Sequence, residues 1–290
     1  MLVAHQRSPS RSLWPLSRQV TLLLILGYVV GGAILLFRVG PREAFREVVV
    51  NGALVVAWLA AVHAILRRQP PRTLPPLRRP RLELLWSVAV LAAALTVVTV
   101  GYGQWFSLPR RIHVAIIYGG VALLFLGLRY PSSAWGLRWP SRRGWLALGV
   151  VVLLNIVAGL VRGLLLPAGE QQATVGVNLG EQMGSTWAAV GLFVSLLVGA
   201  ALPEELLLRV TLQPRLARYT GISWAIFLQA FLFSAGHLPQ KILSNELSLA
   251  VALAYTLLLN NGLIAGYLWY KERSLPLLLV LHLFAFPRLG

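Results

Sequence analysis

Nine apolar stretches, each close to the length that crosses a lipid bilayer, constrain this chain of 290 residues more than any other feature. A transmembrane helix needs about 20 predominantly apolar residues. Inside lipid the backbone N–H and C=O groups have no water to bond, so a single spanning segment satisfies them as a helix. The pattern therefore predicts an all-α, polytopic membrane helix bundle with eight to nine transmembrane helices. The predicted spans are 20–37, 48–66, 82–101, 112–128, 145–166, 186–208, 222–242, 248–269 and 274–289.

The composition supports the lipid bilayer as the first partner of this chain. Charged residues make up only 12% of the sequence, whereas a soluble domain carries about 25%. The formal net charge of +17 comes from 26 Lys and Arg against 9 Asp and Glu. These basic residues cluster in short loops between apolar stretches, as in membrane proteins, so no nucleic-acid partner is expected. The absence of cysteine excludes disulfides, thiolate metal sites and a cysteine nucleophile.

The distribution of Lys and Arg predicts an integral protein of the cell membrane whose N-terminus is cytoplasmic. In this orientation the Arg-rich segments 67–81 and 129–143, with Arg215 in a later loop, lie on the cytoplasmic side, and fewer basic residues lie outside. The segment 167–185 contains acidic residues but no Lys or Arg. It is expected to form an external loop.

The ionisable residues that lie within predicted spans and are candidates for a functional site fall in the C-terminal half of the chain. We expect residues 1–144 to supply N-terminal transmembrane helices and basic cytoplasmic loops, and residues 145–290 to form the functional core. A charged side chain at bilayer depth costs about 2.5 kcal/mol or more, so each one requires an explanation. Span six contains three such residues, Glu204, Glu205 and Arg209.

Glu205 and Arg209 are four residues apart, with the acid first, which is the favourable order for an ion pair within a helix. Glu204 lies about 100° further round the helix and must face a different neighbour, as expected of a working carboxylate. Alternatively, the three residues mark the cytoplasmic end of the span and reach into the headgroups.

Two histidines add to this set. His237 follows Phe233 by one helical turn in span seven, and His282 lies in span nine with no charged neighbour in its helix. A single histidine in a membrane helix is more often a hydrogen-bonded packing residue. Together, however, these groups suit general acid–base catalysis, in which Glu204 activates a water and the histidines orient it or protonate the leaving group. That mechanism requires no cofactor.

A metal is the alternative use of the same residues. Two imidazoles and a carboxylate with an open position form a known catalytic zinc arrangement, so Glu204, His237 and His282 could ligate zinc. Either chemistry requires the carboxylate and imidazoles to lie at similar depth. His237 lies about 22 Å along span seven. We therefore predict that span six continues past Arg209, to a kink expected near Pro214.

At these positions the chain resembles the CPBP family of intramembrane proteases, the Abi or CAAX-processing group. Its first motif, EExxxR, matches Glu204, Glu205 and Arg209, and its second, FxxxH, matches Phe233 and His237. The resemblance covers roughly residues 145–290. It implies an eight- or nine-helix bundle in which the first glutamate activates water and the histidine of the second motif assists.

The third motif of that family, HxxxN or HxxxD, is only half present. His282 matches, but Phe286 stands where the family has Asn or Asp. The resemblance implies that this amide steadies the developing oxyanion, and loss of one such donor costs about 10²–10³ in rate. Asn260 and Asn261 in span eight could supply another amide, or could serve in hydrogen bonds between helices.

Three functions fit the sequence. The first is a membrane-embedded endopeptidase that cuts a membrane-associated protein or peptide. The second, suggested by Phe286, is a catalytically weakened relative that acts as a membrane binding, immunity or scaffold protein. The third is a small transporter with Glu204 and His237 as a proton relay, although the sequence shows no internal repeat that would favour it.

Overall fold

The computed structural model describes residues 15–73, 76–101, 107–165, 186–243, 247–258 and 261–285. Within these ranges the chain is helical and contains no strand, which confirms the all-α prediction. The expected external loop at 167–185 lies outside the described residues. The main helices are α1 (Arg18–Arg38), α2 (Asn51–Leu66), α3 (Pro80–Gly101), α4 (Ser107–Gly127), α5 (Arg142–Leu165), α6 (186–220), α7 (Ile222–Gly236), α8 (Leu249–Leu257), α9 (Asn261–Glu272) and α10 (Leu275–Ala285).

Several of these helices have the length and composition of transmembrane segments. Among the described residues, five stretches are long and apolar enough to cross a membrane, and α4 and α7 contain shorter apolar segments. The outward faces are apolar as well: Leu22, Leu26 and Phe37 of α1 are exposed on the bundle surface. Such a surface suits lipid rather than water. The protein is therefore an integral membrane helix bundle, as predicted. The five stretches are Arg18–Arg38, Glu47–Leu66, Pro80–Val100, Arg142–Val161 and Leu249–Glu272.

The sixth predicted span is longer than its apolar stretch. Span 186–208 continues without interruption to Thr220, as the depth of His237 requires. Gly221, with φ of +80°, then begins the turn into α7. Arg215 is thereby placed inside the bundle, where only 2% of its surface is exposed, and the prediction that it lies in a loop is wrong.

Two later spans are interrupted. The predicted span 222–242 is α7, which ends at Gly236 with His237 as its C-terminal cap, followed by the short helix Leu238–Leu243. The predicted span 248–269 is α8 followed by α9, and Leu258 (φ −80°, ψ 57°) leaves helical geometry between them. The first interruption places His237 at a helix end within an apolar stretch.

Helix α9 lies at the centre of the bundle, and glycines bring its neighbours close. A Cβ on Gly262 would lie 2.7 Å from the backbone Cα of Ala230 in α7, and one on Gly266 would lie 2.4 Å from Gln229 Nε2. Gln229 Nε2 in turn donates to Gly262 O at 2.8 Å. Small residues four apart allow this close approach in membranes. The result fixes α7, which carries Phe233 and His237, against the core.

Polar contacts connect the N-terminal and C-terminal halves of the chain at one end of the bundle. Glu83 of α3 is fully buried and pairs with Arg215 Nη2 at 2.8 Å, while Tyr130 donates its hydroxyl to the same carboxylate at 2.9 Å. Tyr267 of α9 lies 2.7 Å from His63 Nδ1 of α2. These contacts hold α6 and α9 against the N-terminal helices.

Candidate active site

Helix α6 carries the two glutamates on a stretch bounded by two widened turns. The five joined segments are Thr186–Leu196, the π turn Leu197–Ala201, Leu202–Glu205, the π turn Leu206–Leu212 and Gln213–Thr220.

The prolines of α6 account for these turns. A proline inside a helix removes one N–H and its ring crowds the carbonyl of the residue four before it. For Pro203 that carbonyl belongs to Gly199, within the first π turn, and for Pro214 it belongs to Val210, within the second. The expected disturbance near Pro214 is therefore a local widening in a continuous helix. Such π turns are frequent at functional sites.

A tyrosine from another helix holds the first widened turn. Tyr118 of α4 donates its hydroxyl to Val198 O at 2.6 Å. The sequence does not predict this contact. The carbonyl of Val198 becomes available to Tyr118 only once the π turn has formed.

The predicted ion pair between Glu205 and Arg209 is present and fully buried. Arg209 Nη1 lies 3.2 Å from Glu205 Oε1, and both side chains are excluded from solvent. The guanidinium also stacks over the ring of Phe233, with Cζ 4.6 Å from the ring centroid. Arg209 Nε and Nη2 have no hydrogen-bond partner among the described residues. The arginine therefore fixes Glu205 and retains unused donors.

His282 of α10 bridges the two glutamates. Its Nδ1 lies 3.0 Å from Glu205 Oε1, and its Nε2 lies 3.6 Å from Glu204 Oε2. Glu205 is fully buried, whereas the side chain of Glu204 is 26% exposed. The two adjacent acids thus occupy different environments, and Glu204 is the one that a water or substrate can reach.

His237 joins the cluster through Phe233. Its Nδ1 lies 2.8 Å from Phe233 O. A carbonyl only accepts, so Nδ1 carries the proton, and in the neutral ring Nε2 keeps its lone pair. The Phe233 ring packs against His237 at 5.0 Å and against His282 at 6.1 Å between centroids, both edge to face. One phenyl ring therefore separates and orients the two imidazoles.

The cluster places one imidazole beside two carboxylates. His282 lies 3.6 Å from Glu204 and 3.0 Å from Glu205. An imidazole and a carboxylate side by side are groups that can serve as general acid and general base.

The described residues do not form a ready-made metal site. No group of three or more His, Asp or Glu side chains among them is placed to hold a metal ion. His282 faces the two carboxylates, and Nδ1 of His237 faces the Phe233 carbonyl. The zinc site of Glu204, His237 and His282 therefore stays a prediction, and no step below depends on it.

The two amide candidates for the oxyanion, and the position at which the family has Asn or Asp, are not placed. Asn260 and Phe286 lie outside the described residues, as does the side chain of Asn261, whose backbone begins α9. The structure thus brings together Glu204, Glu205, Arg209, Phe233, His237 and His282, which come from α6, α7 and α10.

Comparison with known proteins finds a matching family model for the C-terminal part of the chain. Residues 186–285 match a family model described as type II CAAX prenyl endopeptidase Rce1-like. No curated protein and no solved structure matches the chain. The matched region begins with α6 and ends with α10, so it contains each of the clustered residues. The resemblance to CAAX-processing membrane proteases is therefore confirmed for residues 186–285.

Proposed function

We propose that this protein is a membrane-embedded endopeptidase that hydrolyses a peptide bond with a water activated by Glu204 and assisted by two histidines. The observation that carries the proposal is the position of His282 between a buried glutamate and a reachable one, at 3.0 and 3.6 Å. The family match of residues 186–285 supports the same class of reaction.

In the proposed reaction Glu204 takes a proton from a water as the water oxygen attacks the scissile carbonyl carbon. The same proton then passes to the leaving nitrogen as the carbon–nitrogen bond breaks, which releases an amine and a carboxylic acid that keeps the second proton of the water. Nε2 of His237 accepts a hydrogen bond from the water and orients it. His282, held by Glu205, keeps the Glu204 carboxylate in place.

Glu205 and Arg209 act as positioning residues in this proposal. Their ion pair is fully buried and contacts Nδ1 of His282 through Glu205, whereas Glu204 lies beside Nε2 of the same ring. The substrate is a membrane-associated protein or peptide that reaches Glu204 from the exposed side. Cleavage of a prenylated and of an unmodified reporter distinguishes a prenylated from an unprenylated substrate.

The first test replaces Glu204 by its neutral isostere. Glu204→Gln should lower cleavage by about 10²–10⁴, because the general base is lost. The measurement is fragment release in proteoliposomes from two reporters, an S-farnesylated peptide ending in a CAAX sequence and an unmodified membrane-spanning peptide. Thermal unfolding of the purified variant should match the wild type. Wild-type cleavage of both reporters by the variant would show that Glu204 is not the base.

Phe286 supports a second candidate, a weakened relative that binds or scaffolds other membrane proteins. If the missing amide limits catalysis, Phe286→Asn should raise cleavage of the same reporters by about 10²–10³. A wild type that already cleaves rapidly, with no gain from Phe286→Asn, would contradict the scaffold role. A wild type that is silent, with activity appearing in the variant, would support it.

A further inference from the structure

A basic cavity lies between the end of α2 and the start of α5, away from the glutamate cluster. Its volume is about 280 Å³. One part of its lining is cationic, with Arg67, Arg68 and Arg143, and the other is apolar, with Ala64, Ile65 and Leu146. Leu146 is 58% exposed on the bundle surface. The cavity is therefore amphipathic and opens toward lipid.

A buried glutamate forms hydrogen bonds to both segments that line this cavity. Glu272, at the end of α9, is fully buried. It accepts hydrogen bonds from Gln69 Nε2 at 2.6 Å and from Ser141 Oγ at 2.6 Å. Gln69 directly follows Arg67 and Arg68, and Ser141 directly precedes α5 and Arg143. One carboxylate thus fixes both segments that present the arginines.

Ser141 also caps α5. Its Oγ accepts from Gly144 N at 2.9 Å, as an N-cap residue does. Gly144 is required there, because a Cβ would lie 2.7 Å from Glu272 Cδ. The position of Arg143 in the first turn is therefore set by packing rather than by a flexible loop.

The arginines of the cavity have no acidic partner within the described residues. Glu272 is occupied by Arg72, whose Nη2 lies 3.6 Å from Oε2, and Glu83 is occupied by Arg215. Arg67, Arg68 and Arg143 therefore present three uncompensated positive charges to one cavity. Basic pockets between transmembrane helices at a membrane surface are suited to anionic headgroups.

We propose that this cavity binds the phosphate headgroup of an anionic membrane phospholipid, with the guanidinium groups of Arg67, Arg68 and Arg143 on the phosphate and the glycerol and upper acyl chain along Ala64, Ile65 and Leu146. Arginine suits this role because its planar fork bonds phosphate in a bidentate manner. The apolar lining and its opening toward lipid identify the source as a bilayer lipid rather than a soluble phosphate. The site is independent of the proposed peptidase activity.

The test compares two triple variants with the same loss of charge. The protein is extracted from vesicles of equal parts phosphatidylcholine and phosphatidylglycerol, and retained lipid is measured by native mass spectrometry. Arg67→Gln, Arg68→Gln and Arg143→Gln together should lower retained phosphatidylglycerol by more than about tenfold, since each arginine near an anionic headgroup contributes about fivefold. The matched control replaces Arg78, Arg79 and Arg81, which are exposed in the same basic segment but do not line the cavity. It should retain nearly as much lipid as the wild type, because none of its altered side chains lines the cavity.

A single variant and a measurement of the unfolding temperature test the same site independently. Arg143→Gln alone changes one exposed, unpaired side chain, so it should fold normally and lose about fivefold. Phosphatidylglycerol added to delipidated protein should raise its unfolding temperature, whereas inorganic phosphate should not. Equal lipid loss in the two triple variants would show that general surface charge accounts for the lipid binding, and it would overturn the proposal. Equal stabilisation by inorganic phosphate would overturn the lipid as its ligand.

Discussion

Glu205 and Arg209 are fully buried and carry opposite charges. We therefore expect substitution in this pair to destabilise the protein more than substitution elsewhere in the site. Each would be very costly alone, because a buried ion loses several kcal/mol of hydration (on the order of 20 by idealised estimates). Their separation of 3.2 Å offsets much of that cost. Glu204, 26% exposed, retains part of its hydration. Substitution of Glu204 and substitution of Glu205 should therefore change the stability of the protein by different amounts.

This contrast gives a stability prediction that is separate from activity. Glu205→Gln and Arg209→Met should each lower the free energy of unfolding by about 3–5 kcal/mol, because each leaves the other charge buried and unpaired. The double variant should lose much less than the sum. Glu204→Gln is the matched control and should change stability little. Denaturant titration in micelles measures all four proteins, and strictly additive losses would argue against a coupled pair.

The sequence predicted these residues but not all of their partners. The spacing of Glu205 and Arg209 is local, so the ion pair followed from helix geometry alone. Phe233 entered as part of a motif, and its position under the guanidinium and between the imidazoles depends on how α7, α6 and α10 pack. Arg215 was wrongly placed in a loop because its partner, Glu83, is distant in the chain and only the folded bundle brings the two together.

At the scale of elements, small residues decide which helices meet. Gly262 and Gly266 face α7, and a Cβ at either position would overlap a neighbouring atom at less than 3.0 Å. By contrast, a Cβ on Gly149 of α5 would meet nothing within 4 Å. The hydrophobic stretches predicted that these helices exist. They gave no information on the contact between α7 and α9, because apolar residues in a membrane protein face lipid as well as protein.

Glycine substitutions test the packing of α9. Gly262→Ala should lower the free energy of unfolding by about 1–3 kcal/mol, since backbone atoms of α7 must move. Gly149→Ala, the control, should be neutral or raise it by about 0.5–1 kcal/mol, because alanine is a better helix former. The same titration in micelles provides the values. If both variants behaved alike, the close approach of α7 and α9 would be in doubt.

At the scale of the whole molecule, the basic segments meet at one face of the bundle. Arg72 N donates to Lys271 O at 3.2 Å, and Arg78 N donates to the Tyr130 hydroxyl at 3.0 Å. Gln69 and Ser141 share the Glu272 carboxylate. Segments that the charge distribution assigned to one side are therefore in direct contact. The positive-inside rule makes that side the cytoplasm, and this orientation stays a prediction.

The absence of cysteine makes the orientation directly testable, because one introduced thiol is then the only one in the protein. Ser132→Cys lies in the basic segment 129–143, and Val39→Cys lies at the opposite end of α1 from Arg18; both positions are exposed and neither substitution alters charge. With a cytoplasmic N-terminus, an impermeant maleimide should label Val39→Cys in intact cells and Ser132→Cys only after permeabilisation. The opposite labelling would reverse the orientation, since Arg excess sets topology only as a bias. It would also move the arginine cavity to the outer leaflet, so the same two variants decide which leaflet must supply its phospholipid.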